Sequence, residues 1–388
     1  MRVCGVICEY DPFHNGHAVH LAALRERTAC DYIVCVMSGH FTQRGDPALL
    51  SKWARAEMAL RCGADAVFEL PALFAVRDAE RFARGGVGLL TALGVVTHLG
   101  FGSETGDLDA LTAAAARVAE GDAVREGLAL GQTLARARGE AAGLAKGAPN
   151  DTLAMEYLRA LDGLRSPLKA VAIRREGHGH HDRGMGEMAS ATAVRAAIRR
   201  GEDVNRAVPA PARALLTRLL AEGAYQAAGG LDGPLLAILR TMPREALAGI
   251  ADVGEGLEHR LLRAAQEAAD REALLGLTKC KRYTRARLSR VLTQTMLGMT
   301  KSLALQYPLP TYARLLGFRE DARPLLHAVR ARAAVPVVTR AARQRKTGDR
   351  AFALDIRAGD LWALGLTNAF HRRGHIDMLE KVVILGKG

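Results

Sequence analysis

The first hundred residues alternate short apolar runs with segments of helical period, and this alternation constrains the fold more than any other feature of the chain. The runs Val3 to Cys8, Tyr32 to Met37, Ala66 to Leu70 and Val95 to Phe101 are short and continuously apolar, as expected of strands buried on both faces of a parallel sheet. Between them, His17 to Arg27, Leu49 to Cys62 and Asp78 to Leu93 carry apolar residues three and four apart, the period of an amphipathic helix. The order βαβαβαβ predicts a doubly wound α/β domain. Gly63 and Gly94 stand where the second and third helices need a C-terminal stop.

From Leu108 to about Lys146 the composition turns to Ala, Arg, Glu and Leu, which favours a helical insertion broken at Gly121 and Gly131. The α/β pattern then resumes with a helix from Thr152 to Leu161 and a strand-like run from Leu168 to Ile173. A loop, EGHGHHDRGMGEM, leads to a helix opening at Ser190 to Thr192. The first domain is therefore expected over 1–205, with its insertion at about 108–148. Beyond it, segments such as Ala210 to Glu222, Gly233 to Leu239 and His259 to Leu275 predict a mainly helical, basic second domain over 206–388, with a strand near Val335 in the tail.

Length supports this division, since 388 residues exceed one ordinary domain. Apolar residues at 49% and charged residues at 24% are ordinary for a globular protein and exclude disordered and disulfide-scaffold classes. Charge is the informative deviation. A formal net charge of +13 favours an anionic partner, nucleic acid above all. The six cysteines, at 4, 8, 30, 35, 62 and 280, form no CxxC pair and read as reduced thiols. No signal peptide is read in the first residues, and no run approaches the roughly 18 apolar residues of a membrane span. The expectation is a cytoplasmic enzyme with no membrane association and no evident obligate protein partner.

The segment Tyr10-Asp11-Pro12-Phe13-His14-Asn15-Gly16-His17 lies between the first strand and the first helix, where an open parallel sheet binds its ligands and a helix N-terminus offers free N–H groups to phosphate. His14 and His17 can donate to polyphosphate oxygens as negative charge grows in a transition state, and Gly16 leaves room for close backbone approach. Neither the HxxH spacing nor the GHGHHD cluster at 177–182 matches a zinc site, and no metal ligand is assigned. In Ser190-Ala191-Thr192-Ala193-Val194-Arg195 the hydroxyls suit a helix cap, while Arg195, one turn in, is placed to neutralise a leaving pyrophosphate.

HNGH followed late by SATAVR resembles the HxGH nucleotidyltransferase superfamily. Further segments resemble one branch of it, the tRNA(Met) cytidine acetate ligases: YDPFHNGHAVHL at 10–21, VMSGHFTQRGDPALLSKWARAEMAL at 36–60, GADAVFELP at 63–71, FGSE at 101–104, NDTLAMEYLRAL at 150–161 and KCKRYTRARLSR at 279–290. The resemblance implies a Rossmann-like nucleotidyltransferase domain, ATP with Mg2+, acetate activated as acetyl-adenylate, and acetylation of the wobble cytidine of elongator methionine tRNA. It further implies an ATP site of Ile7, Cys8, Glu9, Tyr10, Asp11, Pro12, Phe13, His14, Asn15, Gly16, His17, Ala18, Val19 and His20, joined by Gly102, Asn150, Arg175, Ser190 and Thr192, with His14, His17 and Arg195 catalytic. Asp11 and His40 stand where that family has Asn.

Two basic segments remain. Lys279, Lys281, Arg282, Tyr283 and Arg287, with Arg285 and Arg290, combine cations with one aromatic, as suits RNA backbone contacts and base stacking. Arg44, Lys52 and Arg55 are open to phosphate, to RNA or to a solvated face. Two other functions stay open on the residues alone: nucleotidyl transfer to a small phosphorylated cofactor precursor, and a nucleotide-regulated RNA-binding protein.

Overall fold

Five strands, β1 (Val3–Cys8), β2 (Tyr32–Ser38), β3 (Ala66–Leu70), β4 (His98–Ser103) and β5 (Lys169–Arg174), run parallel in the order β5-β4-β1-β2-β3. The computed structural model describes residues 1–121, 124–125, 134–143, 148–175 and 186–386. Helices α1 (Asn15–Thr28), α2 (Lys52–Arg61), a short α3 (Ala72–Ala75) and α4 (Ala79–Ala92) make the connections. From β1 the chain winds outward to β2 and β3, then crosses back to place β4 on the other side of β1. The carboxyl ends of β1 and β4 therefore border the topological switch point, where an open α/β sheet receives its ligand.

Alternation along the strands divides the core in two. Val3, Ile7, Val34, Val36, Ala66 and Phe68 face one layer, with α4. Cys4, Val6, Cys8, Ile33, Cys35 and Val67 face the other, with α1, α2 and the helix Ala191–Arg199. The expected helix stops hold: Gly63 and Gly94 follow α2 and α4 at φ 117° and 70°, in the region that favours glycine. Within the expected insertion, α5 (Leu108–Glu120) and the helix Leu134–Ala142 share a small core with Met155. Gly131, Lys146 and the 177–182 histidine cluster lie outside the described residues.

The expected boundary near 205 does not divide the sheet. Strand β6 (Ala313–Arg319) pairs antiparallel with β3, setting Ala66 opposite Phe318 and Glu69 opposite Arg314, and β7 (Val337–Val338) and β8 (Val383–Leu385) pair with β6. Helices from the second half, including Asp232–Thr241 and Arg285–Leu297, pack into the same core as Phe68 and Leu90. The change near 205 is one of element type, because β6 reads Ala-Arg-Leu-Leu-Gly-Phe-Arg, with no β-branched residue to announce a strand.

Beside the β3–β6 pairing lies a buried charge cluster. Lys52 Nζ donates to both Glu69 oxygens at 2.7 and 2.8 Å and to Asp377 at 2.6 Å. Arg314 pairs with Asp377 and lies 3.4 Å from Glu69. Arg55 is likewise fully buried, donating to the backbone carbonyls of Glu9, Ser38, Gly39 and Leu50. Lys52 and Arg55 thus serve the fold, with neither phosphate nor RNA within their reach. Removing one member of a buried ion cluster strands the others without compensation. Lys52→Met is expected to destabilise the protein by about 3 to 5 kcal/mol, read as a lowered midpoint in urea unfolding; an unchanged midpoint would show that the cluster contributes nothing.

Candidate active site

The strand β1 ends at Cys8, and the next six residues turn the chain into α1. Tyr10 takes a left-handed backbone (φ 48°), and His14 is the N-cap of α1, which begins at Asn15, two residues earlier than the helix expected from sequence. One side-chain bond joins the two motif histidines across the helix start: the His14 backbone N–H donates to His17 Nδ1 at 3.3 Å. That bond leaves the proton of a neutral His17 on Nε2, which is the nitrogen free to donate outward. The rings stack at a centroid distance of 3.7 Å, with Tyr10 and Phe13 packed against His17 at 4.7 and 5.4 Å. Gly16 has a local reason to be glycine, since a Cβ there would come within 3.0 Å of the His14 ring.

Burial holds all three histidines of this face neutral. His14 is pushed down to about 3, first by burial and then by the Arg175 and Arg195 charges. Burial, then His14 and Arg175, holds His17 well below the ordinary imidazole range, and His20 is brought to about 4 mainly by burial. His14 Nδ1 and His20 Nε2 are buried without a hydrogen-bond partner in the protein. An unpaired buried polar atom costs about 1 to 3 kcal/mol, so two of them on one helix face mark a place built for a polar ligand.

Two arginines close the site. Arg195, on the helix Ala191–Arg199, donates to the Asp11 carbonyl, lies 3.4 Å from the Asp11 carboxylate and reaches Thr192 Oγ1 at 3.3 Å. Asp11 also accepts from the Leu49 N–H at 2.6 Å, so its carboxylate is engaged on both sides. Ser190 caps that helix, accepting from Ala193 N at 3.2 Å. Arg175 Nη1 donates to Asn150 Oδ1 at 3.1 Å, and its side chain lies over Gly102, where a Cβ would come 3.2 Å from Arg175 Cγ. Its neighbour Arg174 instead packs against Gly106, so of the two it is Arg175 that faces the histidines.

Sequence reasoning missed the pair that sets Asn150. Glu104 accepts from Asn150 Nδ2 at 2.6 Å, Asn150 N at 3.1 Å and Asp151 N at 2.7 Å. Asp151 in return accepts from Ser103 Oγ and from Glu104 N at 2.9 Å. The donor end of the Asn150 amide is thereby fixed on Glu104 and its oxygen turned to Arg175. The signal was present as an acid at the end of FGSE and another at the start of the helix Pro149–Gly163.

Other expected contacts serve as walls and ties. Ile7, Cys8, Tyr10 and Phe13 are buried under the turn. Asn15 Nδ2 is spent on the carbonyls of Glu187 and Arg206 at 2.8 and 2.7 Å, and Val19 points outward, half exposed. Glu9 accepts from Gln43 N at 2.5 Å, and burial raises its carboxyl above the ordinary range. His40 is buried beside Trp53 and Trp362 with both ring nitrogens unpaired. All six cysteines are free thiols.

A family model described as HIGH Nucleotidyl Transferase matches residues 1–376. The tRNA(Met) cytidine acetate ligase of Caldanaerobacter subterraneus subsp. tengcongensis is 36% identical over 396 residues, covering 95% of this chain and 96% of the relative. The chain belongs to that family. The ligase of Syntrophotalea carbinolica is 42% identical over 362 residues, covering 88% of this chain and 86% of the relative. Among solved structures, apo Thermotoga maritima TmcAL superposes with a TM-score of 0.93 at 32% identity, and its complex with alpha-thio ATP gives 0.91, each covering both chains completely. The HxGH turn, Gly102 of FGSE, Asn150 and Arg175 lie together at the carboxyl ends of β1 and β4.

The basic segment at 279–290 is only partly as expected. Lys279, Lys281 and Arg282 are exposed, but Tyr283 is 3% exposed, its hydroxyl donating to the Glu255 carbonyl at 2.9 Å and the Arg287 guanidinium lying 5.2 Å from its ring. A buried ring cannot stack on a base, and alternation of cations around an aromatic does not reveal which way the aromatic points.

The depressed His14 pKa makes a stability prediction. Between about 3 and 6.5 the unfolded chain binds a proton that the folded chain refuses, so this contribution is complete above 6.5 and is lost as pH falls toward 3. His14→Asn is expected to flatten the dependence of the urea midpoint on pH between 7 and 4; parallel curves for the two proteins would assign the slope elsewhere.

Proposed function

We propose that the protein is an ATP-dependent tRNA-modifying ligase that activates acetate as acetyl-adenylate and acetylates the wobble cytidine of elongator methionine tRNA to 4-acetylcytidine. The observation that carries this reading is the pair of unpaired buried nitrogens on His14 and His20, converging with Arg175 and Arg195 at the switch point of the sheet. Neutral imidazoles and guanidinium groups in a water-poor cleft suit a polyphosphate, whose charge replaces the hydration that the site lacks.

In the first half-reaction an acetate oxygen attacks the α-phosphorus of ATP, and the bond to pyrophosphate breaks. His17, donating through Nε2, and His14 stabilise charge on the phosphate oxygens, while Arg195 exchanges Asp11 for the departing pyrophosphate. No protein nucleophile is needed, so the contribution of the chain is positioning and charge stabilisation. In the second, the exocyclic amine of cytidine attacks the acetyl carbonyl, AMP leaves and the amine loses a proton. Arg175, set by Asn150, holds the nucleotide beside Gly102.

Magnesium accompanies the triphosphate in this reading. The carboxylates nearest the histidines are already engaged, Asp11 by Leu49 and Arg195 and Glu104 by Asn150 and Asp151, so they offer no site of their own. When bound with the triphosphate, the ion would supply charge neutralisation there and would be held by the nucleotide and water in place of these carboxylates. Among the described residues no helix is long and apolar enough to cross a membrane; with its free thiols, the protein is assigned to the cytoplasm.

Incubation with ATP, magnesium, acetate and total bacterial tRNA, with nucleosides read by mass spectrometry, is expected to yield acetylcytidine, and His17→Ala to abolish it. Pyrophosphate release driven by another acceptor, with tRNA unmodified, would instead indicate transfer to a small cofactor precursor. Glu104→Ala, which frees the Asn150 amide, is expected to raise the KM for ATP about tenfold, the loss of one charge-assisted hydrogen bond; an unchanged KM would separate Asn150 from nucleotide binding.

A further inference from the structure

With Tyr283 buried, the cations at 279–290 have no aromatic to offer a base, yet a second basic segment does. Asn368 to His375 reads NAFHRRGH, and Phe370 within it is 79% exposed. The ring is carried on a rigid turn. Asn368 caps the single helical turn Ala369–His371 by accepting from Phe370 N at 3.0 Å, and donates through Nδ2 to the Glu222 carbonyl at 2.9 Å. Thr367 and Asn368 also donate their backbone N–H groups to Tyr225 and Gly223 at 2.9 and 3.0 Å. An aromatic held out into water by this many bonds is not a frayed end.

Cations follow it closely in the chain. Arg372 and Arg373 are exposed and, among the described residues, neither is in an ion pair. Arg372 spends its Nε on the Leu366 carbonyl at 2.8 Å, which fixes the guanidinium without neutralising it. The turn is also tied to the active site. Leu366 bridges to Gln226, Gln226 N donates to Leu49 O at 2.9 Å, and Leu49 N donates to the Asp11 carboxylate that holds Arg195. Trp362, eight residues before Phe370, donates through its indole to Ala48 O at 2.7 Å on the same loop.

The chemistry supplies the reason for such a surface. An exocyclic amine reaches a buried mixed anhydride only if its base is taken out of the stack, which bares the face of a neighbouring base. We propose that Phe370 is the stacking platform for an unpaired RNA base next to the nucleotide being modified, with Arg372 and Arg373 contacting the adjoining phosphates. This rests on the reading of the chain as an RNA-modifying ligase.

The test compares wild type, Phe370→Ala and Phe370→Tyr in the full chain, measuring acetate-dependent pyrophosphate release without RNA, acetylcytidine formation against tRNA concentration, and sedimentation. Loss of one base–aromatic stack is expected to raise the KM for tRNA about tenfold or more in Phe370→Ala, with adenylation unchanged and Phe370→Tyr close to wild type. If wild type acetylates tRNA and Phe370→Ala does so with the same KM, this inference falls and the ligase reading stands. If wild type neither binds nor acetylates tRNA, both fall. A dimeric wild type made monomeric by Phe370→Ala at constant KM would assign the ring to self-association and overturn the proposal.

Discussion

The guanidinium of Arg55 is the contact on which the geometry of the site depends. It sits fully buried on α2 and spends its donors on four backbone carbonyls, those of Glu9, Ser38, Gly39 and Leu50. A charge in the interior is tolerable only when its N–H groups are satisfied, and here the satisfying groups are the chain segments leaving β1 and β2. The same cation therefore sets where the HxGH turn begins and where the loop at 39–50 runs. That loop in turn carries Gln43 to Glu9 and Leu49 to Asp11, and receives the helix Arg285–Leu297 at Gly45, where a Cβ would come 2.6 Å from Ser289 O.

Much of this was legible in the sequence because it depends on local pattern. β1 and β3 run as expected and β2 within a residue, since continuous apolar runs between helical periods leave few alternatives, and Gly63 and Gly94 end their helices for a backbone reason. The motif histidines were legible because a strand-to-helix turn places them at the sheet edge whatever the tertiary detail. What escaped was long-range. β6 has the composition of a helix and becomes a strand because β3 offers it an open edge. Tyr283 turns inward and Phe370 outward, and neither direction is written in neighbouring residues. Lys52 and Arg55 looked like surface cations because their partners are carbonyls and distant acids.

The free site keeps its polar groups in two different conditions. Arg195 and Asn150 are already bonded to protein groups, whereas His14 Nδ1 and His20 Nε2 are bonded to none. The first kind has its position fixed by partners it must exchange; the second has free energy to recover when a ligand arrives. Placing both kinds around one helix start gives preorganisation without filling the space with side chains, which is what reactions driven by positioning and charge require.

The buried Lys52 carries a consequence for how the protein is made. Its partner Asp377 lies 325 residues further along the chain, so a ribosome emits the lysine long before the carboxylate that neutralises it. Until then the β3 edge lacks β6, and a cation destined for the interior has only Glu69 for company. The amino-terminal half cannot settle into its final packing as it emerges, and contacts of such separation close slowly. The packing of the amino-terminal sheet is thereby tied to the folding of the second half, because the buried cation on α2 and the open edge of β3 are both completed by segments that lie far along the chain.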